Sequence, residues 1–323
     1  MRVLITGGAG FIGSHLCELL ISRGDEVVVI DDFSTGRQEN LKSIRERITL
    51  LDMDLADGLA ELGSYQPDEI YHLAAAVGVR LVVERPIHTI ETNVLQTSEL
   101  LHWAGERGSA VLIASTSEVY GKGTQIPFSE NDDVVYGPTT CPRWSYACSK
   151  AIDEFLALAY HRQHDLRVVI PRFFNTVGPR QVGDYGMVLP RFVTAALRGE
   201  DLIIHGDGQQ TRSFCDVRDV VKLLPVMLKT STCFGRVFNV GSEERITINE
   251  LGQKVITLLK SKSSIIHQPY EQAFGPSFED LRHRQPDTTA IREACGFIPQ
   301  YTLDQTILDL AAHIRNRQAT NSA

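Results

Sequence analysis

The chain has 323 residues, 43% of them hydrophobic and 22% charged, a composition suited to a soluble protein with one large α/β domain or two domains. Its net charge of −8 argues against a nucleic-acid backbone as partner. No apolar run approaches the ~18 residues that span a bilayer, and the first strand begins almost at Met1, which leaves no room for a signal peptide and makes the cytoplasm the expected compartment.

Arg2 to Thr6 reads as a short buried strand and is followed by Gly7-Gly8-Ala9-Gly10-Phe11-Ile12-Gly13. A helical pattern then runs to Arg23, Gly24 ends it, and Glu26 to Asp31 forms a second strand ending in an acid. Strand, glycine turn, helix, strand and acid, in that order, predict a dinucleotide-binding βαβ unit. Gly7 allows the tight turn, Gly10 the approach of a pyrophosphate, and Gly13 close helix–strand packing, while the helix N-terminus offers unpaired N–H groups. Asp31 is placed to accept from the adenosine ribose, and an acid there repels a 2′-phosphate, which favours NAD over NADP.

The alternation continues. Ile48 to Leu51 is a strand leading to Asp54, a candidate partner of the adenine amino group. Glu69 to Leu73 is another, ending in Ala74-Ala75-Ala76, small enough for a cofactor to lie against backbone. A helix is expected from Ile87 to about Ala104, and a strand from Ala110 to Ala114. Repeated βα units imply a doubly wound parallel sheet with helices on both faces.

The polar cluster Ser115-Thr116-Ser117-Glu118-Val119-Tyr120-Gly121 stands at the carboxyl end of that last strand, where open α/β sheets bind ligands. Tyr146 and Lys150, four apart on a helix reaching about His164, share one face. An ammonium beside a phenol favours the phenolate, so Tyr146 is read as a base, Thr116 as the holder of a substrate hydroxyl, and Glu118 as a carboxylate for a second proton transfer. Arg143 and Trp144 are read as shaping the loop before the helix. The helices 87–104 and 146–164 carry apolar positions beyond one core stripe, which fits a homodimer through a four-helix contact or two ordinary buried helices.

Arg167 to Pro171 is the next strand, and the loop Arg172 to Arg180 leaves the sheet. The expected division is a dinucleotide-binding domain, 1–178, and a smaller α/β substrate-binding region, 179–323. Two assignments stand for the late segments near 213–241: the second region, or a return to the first domain's sheet. A helix from Val188 to Leu197, strands at Leu202 to His205 and Ser213 to Val217, and a capping box at Thr247-Ile248-Asn249-Glu250 opening a helix to Leu259 belong here. Gln268 to Asp280 reads as a loop over a site. His161 and His164 lack a third ligand, so no metal site is expected. The six scattered cysteines read as reduced thiols.

With these residues in view the chain resembles the extended short-chain dehydrogenase/reductase family, within it the nucleotide-sugar epimerases, dehydratases and decarboxylases. The carriers are Gly7 to Gly13, Asp31, Ser115 to Gly121, Tyr146 with Lys150, Arg172 to Arg180, and the loop His205 to Arg212. The resemblance implies a Rossmann-type fold and a tightly bound NAD held by Gly7, Gly10, Phe11, Ile12, Gly13, Asp31, Asp32, Asp54, Leu55, Leu73, Ala74, Ala75, Tyr146 and Lys150. It implies a sugar nucleotide held by Ser117, Glu118, Asn175, Arg180, Arg191, Arg212 and Arg284. Glu118 departs from the small residue usual in 4-epimerases, and Ser117 from the Asp-Glu pair of deoxythymidine-diphosphoglucose dehydratases. Pro142 to Tyr146 and Phe278 to Pro286 look like segments of UDP-glucuronate decarboxylases, in which an arginine placed as Arg284 is reaches the sugar carboxylate. The implied reaction is oxidation at C4″ and loss of CO2 from the 4-keto acid, after which return of the hydride gives UDP-xylose and loss of the intermediate gives the 4-keto-pentose. The alternatives are a 4-epimerase or 4,6-dehydratase on another NDP-sugar and, in another class, a non-catalytic dinucleotide sensor.

Overall fold

The computed structural model describes residues 1–78, 82, 84–183, 187–274 and 281–321. Its frame is an eight-stranded, all-parallel sheet: β1 (Arg2–Thr6), β2 (Glu26–Asp31), β3 (Ile48–Asp52), β4 (Glu69–His72), β5 (Ala110–Ile113), β6 (Ser115–Thr116), β7 (Val168–Phe173) and, far along the chain, a strand Arg236–Val240. From one edge the order is Arg236–Val240, β7, β5, β4, β1, β2, β3, with β6 extending the pairing along β7. Runs such as Val27-Val28-Val29-Ile30 are buried on both faces, which is why these strands show no apolar–polar alternation. The order reverses direction between β1 and β4, and the cleft opens at the carboxyl ends there.

Helices cover both faces. On one lie α1 (Phe11–Ser22) and a helix Val217–Lys229, packed in the cluster of Leu16, Leu20, Val220 and Leu224. On the other lie α2 (Leu55–Glu61), α3 (Pro86–Gly105) and α4 (Trp144–His164), through Leu59, Leu100, Leu101 and Ala157.

The elements after β7 are, in chain order, β8 (Thr176–Val177), α5 (Val188–Arg198), β9 (Leu202–His205), β10 (Thr211–Ser213), β11 (Cys215–Asp216), α6 (Val217–Lys229, the helix just placed on the sheet), β12 (Arg236–Val240, the edge strand), β13 (Arg245–Thr247), α7 (Ile248–Leu259), β14 (Ile265–Gln268), α8 (Tyr270–Phe274), β15 (His283–Arg284), α9 (Thr289–Cys295) and α10 (Leu303–Asn321). Leu189, Phe192, Leu251, Val255 and Leu310 form their own core between α5, α7 and α10. β10 pairs antiparallel with β13 and parallel with β15, which brings Arg284 beside Arg212.

Two expectations change. The strand expected at Ser213 to Val217 is two short pieces, β10 and β11, because the Asp216 carboxylate accepts from the Arg218 N–H and starts α6 at Val217. The loop expected from Gln268 holds α8, while 275–280 lies outside the described residues, as does the front of the Phe278 to Pro286 segment. α6 packs under the large sheet and β12 joins its edge beside β7. Among the described residues no helix is long and apolar enough to cross a membrane.

Candidate active site

Every residue singled out above for cofactor or sugar nucleotide, Ser117 excepted, lines one continuous cleft of about 550 Å³. At its floor the glycine turn is closed to side chains. A Cβ on Gly13 would stand 2.2 Å from the Gly7 carbonyl oxygen, and Gly7 itself takes φ +72°. α1 follows its N-cap Gly10 with no side-chain cap, and its first residues Phe11, Ile12 and Gly13 line the cleft, which leaves the N-terminal N–H groups for a ligand there. Asp31 ends β2 with both oxygens fixed by backbone, Oδ2 accepting from the Ala9 N–H (2.8 Å) and Oδ1 from the Phe33 N–H (2.9 Å). Asp54 caps α2 through the Asp57 N–H at 2.9 Å and lies at the same end.

Thr116 ends β6, and the turn Ser117–Tyr120 follows it. The Thr116 hydroxyl accepts from the Glu118 N–H at 3.2 Å, which caps this turn and aims the Glu118 carboxylate at two guanidiniums. Arg143 reaches it with both terminal nitrogens, at 2.5 and 3.1 Å, and Arg284 with one at 3.0 Å. The other terminal nitrogen of Arg284 donates to the Ser117 hydroxyl at 2.5 Å. Burial alone would raise the Glu118 pKa, but the charges of Arg143 and Arg284 outweigh it and hold the group at about 2. In this geometry Glu118 is a carboxylate, and the two guanidiniums that hold it ionised make it a weak base, which suits orienting a proton-bearing group better than the second proton transfer expected of it.

Tyr146 is buried near the start of α4, where Thr116 is among the groups that act on its hydroxyl. Its pKa is pushed up by burial first, then by the carboxylates of Glu118 and Asp153, with the Thr116 bond and Arg284 opposing. The expected acidifying contact from Lys150 is absent. Lys150 Nζ donates to Asp153 Oδ2 at 2.7 Å, both groups buried, and no hydrogen bond joins Lys150 to Tyr146 among the described residues. A buried ammonium takes the carboxylate one turn along its own helix, and that Asp153 carboxylate works against the Tyr146 phenolate.

Other expected ligands are oriented by backbone. Asn175 Nδ2 donates to the Ser213 carbonyl (2.9 Å), a terminal nitrogen of Arg191 to that of Ile203 (3.0 Å), and one of Arg212 to that of Thr211 (2.9 Å). Arg180 lines the cleft too, and its guanidinium meets Glu18 of α1 at 2.5 Å. Sequence reasoning missed the site roles of Arg143 and Asp153. Both had a signal: a carboxylate at the end of a buried strand needs cations, and a buried lysine needs an acid within one turn.

A family model described as NAD dependent epimerase/dehydratase matches residues 3–241. The chain belongs to that family. As a member it is an NAD-dependent enzyme of the extended short-chain dehydrogenase/reductases. Among relatives of this epimerase/dehydratase family, it is 43% identical over 307 residues to the UDP-N-acetyl-alpha-D-glucosaminuronate decarboxylase of Bacillus cytotoxicus, covering 94% of each chain. It is 38% identical over 309 residues to UDP-glucuronic acid decarboxylase 3 of Arabidopsis thaliana, covering 94% of this chain and 86% of that one. The crystal structure of a tyrosine-to-phenylalanine mutant of the UDP-glucuronic acid 4-epimerase from Bacillus cereus, with NAD and UDP-4-deoxy-4-fluoro-glucuronic acid, superposes with TM-score 0.88 at 26% identity, covering 98% of this chain and 100% of that chain. The NAD of the family suits the residues present: a turn that excludes side chains, uncapped N–H groups for the diphosphate, and Asp31 at the ribose position.

Proposed function

We propose that the chain is an NAD-dependent decarboxylase of a UDP-hexuronate, with UDP-glucuronate as substrate and UDP-xylose as product. The observation that carries this reading is Arg284. It is nearly buried at the cleft, 3.0 Å from the Glu118 carboxylate and 2.5 Å from the Ser117 hydroxyl, so its planar fork already points carboxylate-binding edges at the site.

Bound NAD⁺ would supply the hydride acceptor for C4″ and later its donor. The protein's part is proton handling and orientation. Thr116 and Tyr146 hold the C4″ hydroxyl, and Tyr146 takes its proton. Oxidation makes a β-keto acid, so the C6″ carboxylate on Arg284 can leave as CO2 while the ketone takes up the electron pair. The enolate left by CO2 loss takes its new C5″ proton from a water, which the ionised Glu118 orients. Residues 1–178, completed by β12, form the cofactor half, and 179–323 contribute the sugar-nucleotide half.

A second reading keeps the chemistry and changes the substituent at C2″, because the 43% relative is named for the 2-acetamido uronate. A third, 4-epimerisation, draws on the structural neighbours. Incubation of purified protein with UDP-glucuronate and with its 2-acetamido counterpart, followed by mass spectrometry, separates them. Loss of CO2 from the first supports the leading reading, loss from the second alone moves the substrate, and an isomer of unchanged mass replaces decarboxylation with epimerisation. Arg284→Ala is expected to keep UDP affinity and to lower turnover of the uronate on the order of 100-fold or more, the cost of a lost transition-state charge contact; unaltered turnover removes Arg284 from the reaction.

The protein is further proposed to work as a cytoplasmic homodimer. Its six cysteines are thiols, as suits a reducing compartment. α3 and α4 pack side by side and expose Ile87, Leu95, Ile152 and Phe155 on one apolar face.

A further inference from the structure

Arg284 and Glu118 come from distant segments, and their side chains meet on the cleft side. Behind the cleft the same two segments meet again, on the amide of Asn239. This β12 residue is fully buried. Its Oδ1 accepts from the Tyr120 hydroxyl at 2.6 Å, and its Nδ2 donates to the carbonyls of Phe128 at 2.9 Å and Asp287 at 3.1 Å. Its backbone N–H donates to Glu130 Oε1 at 2.7 Å. Tyr120 closes the turn that presents Glu118, and Asp287 lies just beyond Arg284. Phe128 stitches the two: its N–H donates to the Gln285 carbonyl and its carbonyl accepts from the Asp287 N–H, both at 2.8 Å. The residue type follows from the demand. One acceptor and two donors on a short neutral side chain are an amide; Asp would set a charge against two carbonyls, and Leu would take one partner from each of three polar groups.

We propose that Asn239 is a positioning residue for the decarboxylation, its amide setting the spacing between Arg284 and the Glu118 turn and so the place where the sugar carboxylate is held. This rests on the reading of the preceding subsection. A displacement of about 1 Å at a reacting group can cost on the order of 100-fold in rate, so an amide with no contact to substrate can govern turnover. A purely structural asparagine would lower stability without acting through Arg284.

The test is a double-mutant cycle of Asn239→Ala and Arg284→Ala. It is read as CO2 release and, separately, as the ratio of dissociation constants for UDP and UDP-glucuronate. Asn239→Ala is expected to lower kcat roughly 10- to 100-fold, to leave UDP affinity unchanged and to erase most of the preference for the uronate. In the Arg284→Ala background it should add less than about twofold, because coupled residues are non-additive. Additive losses, or a wild-type kcat in Asn239→Ala, overturn the proposal. Should Asn239→Ala fail to fold, Tyr120→Phe, which deletes one hydroxyl of the bracket, takes its place in the cycle with the same deciding outcomes. Absence of CO2 release by the parent enzyme would sink the decarboxylase reading, while the binding ratios would still decide whether Asn239 acts through Arg284.

Discussion

Burial and the Glu118 and Asp153 carboxylates all disfavour the Tyr146 phenolate, so its work as a base draws on the positive charge that bound NAD⁺ would bring beside it. Removing the hydroxyl isolates its contribution. Tyr146→Phe is expected to lower turnover about 10²- to 10⁴-fold, the usual range for one acid–base group, with UDP binding unchanged by calorimetry. Full activity in that variant would end the catalytic account. At this scale the sequence was partly legible. Spacing alone put Tyr146 and Lys150 on one face, since an α-helix has a fixed period. It could not say which neighbour Lys150 would choose, because that depends on the burial of Asp153, decided only when α4 docks on the sheet. Arg143 was obscure for a like reason. An arginine beside a helix start is usually exposed, and only the fold turns this one inward onto Glu118.

At the scale of elements, β4 ends in His72, wedged between Thr6 of β1 (2.7 Å) and Thr97 of α3 (3.1 Å). Burial, helped by the nearby Lys150 charge, pushes the imidazole down to about 3. The unfolded chain, with His72 near 6.5, binds a proton that the native chain refuses, so stability falls as pH drops below about 6.5 and goes on falling toward 3. At pH 5 the linkage costs about 2 kcal/mol. In His72→Gln the fall in Tm between pH 7 and pH 5 should therefore be smaller than in the parent; equal falls would mean that His72 is not the group responsible. The elements themselves were legible where a local rule was strong. The helix at Ile248 to Leu259 follows its capping box, with Thr247 and Glu250 paired as that motif requires. They were least legible at β10 and β11, pieces too short to carry a period, whose pairing comes from distant partners.

At the scale of the whole molecule, the apolar face on α3 and α4 is expected to hold two copies together. Phe155, 68% exposed, is its largest side chain. Phe155→Glu should convert a dimer to a monomer in size-exclusion chromatography with light scattering, without changing the circular dichroism spectrum; a monomeric parent would remove the proposal. The doubly wound sheet could be read from its alternating strands, whereas the place of β12 could not, because one five-residue strand carries no address. That place has its own consequence. The outer edge of β7 is completed by β12, and Phe173 and Arg236 are some 60 residues apart in the chain. A ribosome adding about 5–20 residues per second leaves that edge open for roughly 3 to 12 seconds. For that interval the nascent sheet presents a row of unanswered amides to every neighbouring chain, and its safeguard is the speed of synthesis or a chaperone that covers the gap.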